Sequence, residues 1–171
     1  MKEIHNILMP TDFSDLSFAG IDYVKSLAAQ CNAKIFIVHV IDNASMATLP
    51  SVDFNVPTML RNSEEIAQKE LDKLRNECFK SAPDVTTVIR YGSPAREIVA
   101  FAAEHDIDLI VIATHGRTGL AHVFMGSIAE KVVRHSPVPV LSVPTRIYDE
   151  PGRENQFLNE NDLKEQLHIP T

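Results

Sequence analysis

Apolar positions along the chain follow two alternating periods. Ile4, Ile7, Leu8 and Met9 make a short apolar run that Pro10 stops. Asp12 and Ser14 then offer helix N-caps before Phe18, Ile21, Val24, Leu27 and Ala28, which recur at helical spacing, and Asn32 stands where that helix should end. Residues 34–41 are a near-continuous β-branched run, the mark of a strand covered on both faces. Helical spacing returns over 63–79 through Ile66, Leu71, Leu74 and Cys78, and 85–91 reads as a strand. Gly92, Ser93 and Pro94 supply a turn, an N-cap and a proline at the first helical position of a helix continuing through Ile98 to Ala103. A strongly apolar strand over 108–113, a helix over 127–134 and a last strand over 138–143 complete the series. Strands alternating with helices predict an α/β fold: an open five-stranded parallel sheet with helices on both faces, joined by right-handed crossovers.

Two segments fall outside the alternation. Residues 42–62 are mixed, with Pro50 and Pro57, and a loop of that length in a compact domain is usually functional or mobile. Residues 144–171 carry three basic and six acidic side chains, no strand pattern, and a short helical pattern over 161–167. The chain is therefore divided into one domain over 1–143 and an acidic C-terminal tail over 144–171.

Composition narrows the function classes. Of 171 residues, 44% are hydrophobic and 23% charged, enough for a real core and too apolar for wholesale disorder. A formal charge of −7 argues against a nucleic-acid-coating protein, whose affinity comes from neutralising phosphates, but leaves room for one small basic pocket. No apolar run approaches the ~20 residues that span a bilayer, and the first residues lack the apolar core of a signal peptide, so no membrane partner and a cytoplasmic location are expected. Cys31 and Cys78 stand alone, without metal-ligand spacing, and are expected as buried thiols.

In such a sheet, ligands bind beyond the carboxyl ends of the strands, at the topological switch point. The loops to inspect are thus 10–14, 40–42, 92–94 and above all the small, polar stretch Ala113, Thr114, His115, Gly116, Arg117, Thr118, Gly119, which leads on to Gly126 and Ser127. Gly116 and Gly126 lack a Cβ, so backbone N–H groups can approach an anion closely. Ser127 and Ile128 open a helix whose free N–H groups and positive dipole end favour phosphate. Thr114, Thr118 and Ser127 add hydroxyls and Arg117 a cation. The same pattern serves an ordinary turn between strand and helix, and spacing alone leaves both readings open. Neither a P-loop nor a dinucleotide-binding glycine motif is present.

The run from Pro10 to Ser14, the strand ending His39, Val40, Ile41, Asp42, the run from Ala113 to Gly119 leading to Gly126 and Ser127, and the stretch from Glu130 to Leu141 together resemble the universal stress protein family over residues 2–143. Nucleotide-binding members carry G-x2-G-x9-G-[ST]. This chain keeps the second and third glycines as Gly116 and Gly126, followed by Ser127, and departs at the first, where Ala113 stands. The resemblance implies a Rossmann-like strand order of 3-2-1-4-5, ATP or another adenine nucleotide as ligand, and a homodimer joined through the last strand. It implies, further, that Asp12 lies near the ribose or a Mg²⁺ ion accompanying the nucleotide, with Thr11 among the nucleotide-binding residues and Pro10 and Gly92 shaping the pocket walls. Val40 would offer main-chain hydrogen bonds to adenine. Thr114 to Gly119 would wrap ribose and phosphates, and Gly126, Ser127 and Ile128 would hold the terminal phosphates.

His115 and Asp12 are conceivable partners for hydrolysis, but no third group or second carboxylate stands at a readable spacing, so no catalytic residue is assigned. His39, inside an apolar strand, is expected to be a satisfied core histidine. The expected function is a homodimeric adenine-nucleotide-binding stress-response or signalling module with little or no turnover. The alternatives are a slow ATP hydrolase or phosphate-transfer protein on the same site, and a ligand-free interaction protein.

Overall fold

In the computed structural model, residues 3–42, 56–80, 82, 84–114 and 125–144 are described, with only the backbone considered at 56–59. The element order is β1 (Asn6–Pro10), a 3₁₀ turn (Asp15–Gly20), α1 (Ile21–Cys31), β2 (Lys34–Ile41), α2 (Val56–Cys78), β3 (Val85–Tyr91), α3 (Pro94–Glu104), β4 (Leu109–Ala113), α4 (Ser127–His135) and β5 (Val140–Val143). The strands form one sheet in the order β3-β2-β1-β4-β5, and every pairing is parallel. The expected α/β class and strand order both hold.

Alternation along the buried strands sorts the core into two layers. Ile7 and Met9 of β1 with Ile35 and Ile37 of β2 pack against Val24 and Ala28 of α1 and Leu71 and Leu74 of α2. Leu8, Val38, Ile110 and Ile112 face the other way, onto Ala95, Ile98, Phe101 and Ala102 of α3 and Ala129 and Val132 of α4. Helices after β1 and β2 thus cover one face and helices after β3 and β4 the other. The switch of direction falls between β1 and β4, which are neighbours.

Several local expectations shift. The first helical segment enters as a 3₁₀ turn, and its N-cap is Ser14, whose side chain accepts from the Ser17 N–H; Asp12 does not cap it. Helix α2 begins at Val56 rather than at 63, because Pro57 lies in the first turn, where a missing N–H leaves no helical bond unmade. Ser93 stands at the N-cap of α3 in extended conformation but makes no capping bond with its side chain. β5 is shorter than expected: Val138 is held in a local turn by the Ser136 hydroxyl, and the strand starts after Pro139. Cys31 is exposed and Cys78 half-buried, against the expectation of two buried thiols. Asn32 turns the chain through a left-handed conformation at the end of α1, and Ala33 takes the core position instead. The proposed tail over 144–171 lies, beyond Pro144, outside the described residues, as do 43–55 of the long loop.

Candidate functional site

The carboxyl ends of the strands carry most of the residues singled out by sequence. The β1–β4 ladder runs through Ile7↔Leu109 and Leu8↔Ile110, whereas the β1–β2 ladder reaches Pro10↔Val38. Pairing of β1 with β4 thus stops at Leu8 and Ile110, before the end of β1, between the two strands where a switch-point crevice is expected.

On the β1 side, Pro10 ends the strand and Thr11 is buried. Thr11 is fully engaged. Its N–H donates to the Val38 carbonyl (2.9 Å), its hydroxyl pairs with the Ser17 hydroxyl (3.0 Å) and accepts from the Phe13 N–H (3.0 Å), and its carbonyl oxygen lies 2.9 Å from His39 Nδ1. Asp12 Oδ1 accepts from both the N–H (3.0 Å) and the hydroxyl (2.6 Å) of Ser14, a side-chain turn that sets the direction of the carboxylate. Thr11 and the Asp12 carboxylate thus both build the loop that follows β1.

On β2, main-chain groups alternate between the neighbouring strands. The Val38 carbonyl accepts from Thr11, on the β1 side, and the Ile41 carbonyl accepts from Gly92, on the β3 side. The main-chain groups of Val40 accordingly face the β1 side, beyond the last paired residue of β1. Gly92 takes φ 137°, a conformation side chains rarely adopt, and a Cβ there would come within 3.0 Å of Glu97 Oε1. Glu97 cannot readily yield, being paired with Arg90 at 3.0 Å; Arg90 also holds Glu104 at 3.2 Å. Beside Gly92, the Tyr91 hydroxyl is pushed up from its usual range by partial burial, then by a hydrogen bond to Glu64 and the charge of that carboxylate.

On β4, Ala113 is the last strand residue, paired with Val143. Thr114 is buried, donates its N–H to the Val143 carbonyl (2.9 Å) and accepts at its own carbonyl from the Gly126 N–H. This one bond joins the two ends of the glycine-containing segment and sets the start of α4 beside the end of β4. Gly126 is the N-cap of α4, in extended conformation and without a side-chain capping bond. Ser127 and Ile128 follow as the first helical residues, exposed, with the first-turn N–H groups that an α-helix leaves without an intrahelical acceptor. His115, Gly116, Arg117, Thr118 and Gly119 lie outside the described residues.

The structure thus gathers Pro10, Thr11, Asp12, Val40, Ala113, Thr114, Gly126, Ser127 and Ile128 at one end of the sheet. Ser14 caps the first helical segment as its position in the sequence predicts, while Ser17 and the ring of Phe13 join it as builders of the first loop, a role that no motif marked. The run of hydroxyl residues at 11, 14 and 17 was the available signal. His39 is satisfied as expected, though half-buried rather than core. Among the described residues, no group of three or more His, Cys, Asp or Glu side chains could hold a metal ion, and no helix is long and apolar enough to cross a membrane.

The universal stress protein family model matches residues 3–144. A universal stress protein of Methanocaldococcus jannaschii, MJ0531, is 32% identical over 137 residues, covering 80% of each chain. Among solved structures, the hypothetical protein MJ0577 from the same organism, whose biochemical function was assigned from its structure, superposes with a TM-score of 0.76 at 29% identity, over 84% of this chain and 97% of that one. A universal stress protein in complex with cAMP matches with a TM-score of 0.58 at 26% identity, over 84% of this chain and 99% of that one.

Proposed function

The chain belongs to the universal stress protein family, and from that premise we propose that it is a homodimeric adenine-nucleotide-binding module of the cytoplasm, a stress-response or signalling protein with little or no turnover. The observation that carries the reading is the Thr114–Gly126 bond. It sets the N-terminal turn of α4 beside the end of β4, at the end of the sheet that also carries Asp12 and Val40. Adenine would meet Val40, the ribose Asp12, and the phosphates the first N–H groups of α4. The cAMP complex of a relative at 26% identity supports an adenine nucleotide as the ligand class. ATP is the form proposed here. Mg²⁺ accompanying it would take most of its ligands from phosphates and water, with Asp12, in the loop after β1, as the carboxylate assigned to it by the family resemblance. His115 through Gly119 are assigned to ribose and phosphate by the family motif.

ATP at ten times its dissociation constant should stabilise the fold by about 1.4 kcal/mol through mass action, a rise in melting temperature of about 3–6 °C. Differential scanning calorimetry with and without ATP and Mg²⁺ tests this; an unchanged melting temperature at millimolar ATP would count against nucleotide binding.

The departure at Ala113, where the family motif has its first glycine, raises a second reading, a ligand-free interaction protein, against which the retained Gly116, Gly126 and Ser127 stand. Ala113 pairs with Val143 as an ordinary strand residue, a setting in which a methyl group brings no backbone strain. Ala113→Gly should hence change ATP affinity by less than ~1 kcal/mol, within about fivefold. A variant that binds ATP where the parent does not would establish the second reading.

β5 is the last strand in the sheet order, and α4 packed beside it exposes Val133. An apolar edge strand invites pairing, and a two-fold mate satisfies it in a closed arrangement. Light scattering at micromolar concentration should return twice the chain mass; a monomer mass would dismiss the dimer.

A further inference from the structure

The first two strands remain tied together beyond the end of their ladder. Pairing of β1 with β2 stops at Pro10 and Val38, and the Thr11 N–H adds one bond to the Val38 carbonyl. One residue further along β2, His39 Nδ1 lies 2.9 Å from the Thr11 carbonyl oxygen. A carbonyl oxygen only accepts, so Nδ1 carries the proton. The same ring lies over Phe13, with centroids 4.2 Å apart and planes inclined by 26°. Phe13 has φ 63°, in the left-handed region that a bulky residue occupies only when its surroundings impose it. Its N–H donates to Thr11 Oγ1, closing the loop on itself.

Asp12 is the residue between these two anchors, and Val40 is the residue after His39. We propose that His39 is a positioning residue of the nucleotide site: its Nδ1–H bond to the Thr11 carbonyl and its stack on Phe13 hold the Asp12 carboxylate and the Val40 main chain in one fixed relation. The inference rests on the nucleotide reading given above. It gives the histidine a role that core packing alone does not require, since an aliphatic residue would fill a strand position equally well. Beyond the Thr11–Val38 bond, the imidazole cross-links the Asp12 loop to β2 and carries register from the adenine end of the site to the ribose end.

Two variants separate the contributions. His39→Phe keeps a ring to stack on Phe13 and removes the donor; His39→Asn returns a donor close to the Nδ1 position without the ring. Titration calorimetry with ATP, melting temperatures of the ligand-free proteins and the ¹⁵N NMR tautomer of His39 in the parent are to be read together. The expected result is an Nδ1–H ring in the parent, ATP affinity at least fivefold weaker in His39→Phe, and affinity within threefold of the parent in His39→Asn. A folded His39→Phe that melts lower but binds within twofold of the parent would reduce His39 to a structural residue and overturn the proposal. So would a parent ring protonated at Nε2 alone, a measurement that stands even if neither variant folds. If the parent binds no ATP, the nucleotide reading itself fails and the role of His39 falls with it. A binding parent with indifferent variants overturns the role of His39 only.

Discussion

Replacing Gly126 by valine should weaken ATP binding by at least ~2 kcal/mol, roughly 30-fold, while leaving the chain folded. Gly126 caps α4 with φ −63° and ψ 146°, values open to valine, so the backbone has no need of glycine for its own sake. Its N–H is taken by the Thr114 carbonyl and its carbonyl by the Glu130 N–H at 2.9 Å, bonds that a valine retains. What changes is access. A branched side chain would stand beside the first-turn N–H groups of Ser127 and Ile128, where an anion must come within hydrogen-bond distance of the backbone. Titration calorimetry gives the affinity, with circular dichroism to establish that the variant is folded. A folded Gly126→Val that binds as tightly as the parent would place the phosphates elsewhere than at α4.

A second large effect is expected far from the ligand. Phe101→Ala should cost about 3–5 kcal/mol of stability, the range for emptying a fully buried aromatic site. Phe101 is 1% exposed at the centre of the layer formed by α3 and α4 on the sheet. Its ring meets Phe36 edge-on at 5.6 Å and stacks on His105 at 3.9 Å, contacts that alanine cannot replace. Domains of this kind are stable by only about 5–15 kcal/mol, so the variant would lose a large share of its margin. Urea unfolding followed by circular dichroism measures the change through the midpoint shift at constant slope. A loss below ~1 kcal/mol would mean that α3 is not held to the sheet by this ring.

The elements were readable wherever burial and local period coincide. The runs 34–41, 85–91 and 108–113 predict strands, and β2, β3 and β4 occupy them to within a residue. Prolines were harder to read. Pro57 looked like loop because proline inside a helix is disruptive, yet in a first turn it is harmless, and the start of α2 was missed for that reason. Pro139 was read into a strand that begins only after it. The candidate site was half legible. Gly126, Ser127 and Ile128 stand out by a spacing that feeds a helix start, Asp12 by the family motif and Ser14 as a cap, whereas Ser17 shows only in the run of hydroxyls and the Phe13 ring in no local pattern.

By itself the sequence determined the class of fold and the end of the sheet where a ligand belongs. Apolar period and β-branched runs are local properties, and the burial they demand admits few arrangements of five strands and their crossovers. Only the tertiary structure decided which distant groups meet. Asp108 accepts from the N–H groups of His5 and Asn6, tying the start of β4 to the start of β1. His39 reaches the Thr11 carbonyl, and Thr114 receives the Gly126 N–H. Such bonds depend on strand register and on where a ladder stops, and a hydrogen bond forms only over about 3 Å. A shift of one residue would send each side chain to the opposite face, and no local period along the chain encodes that choice.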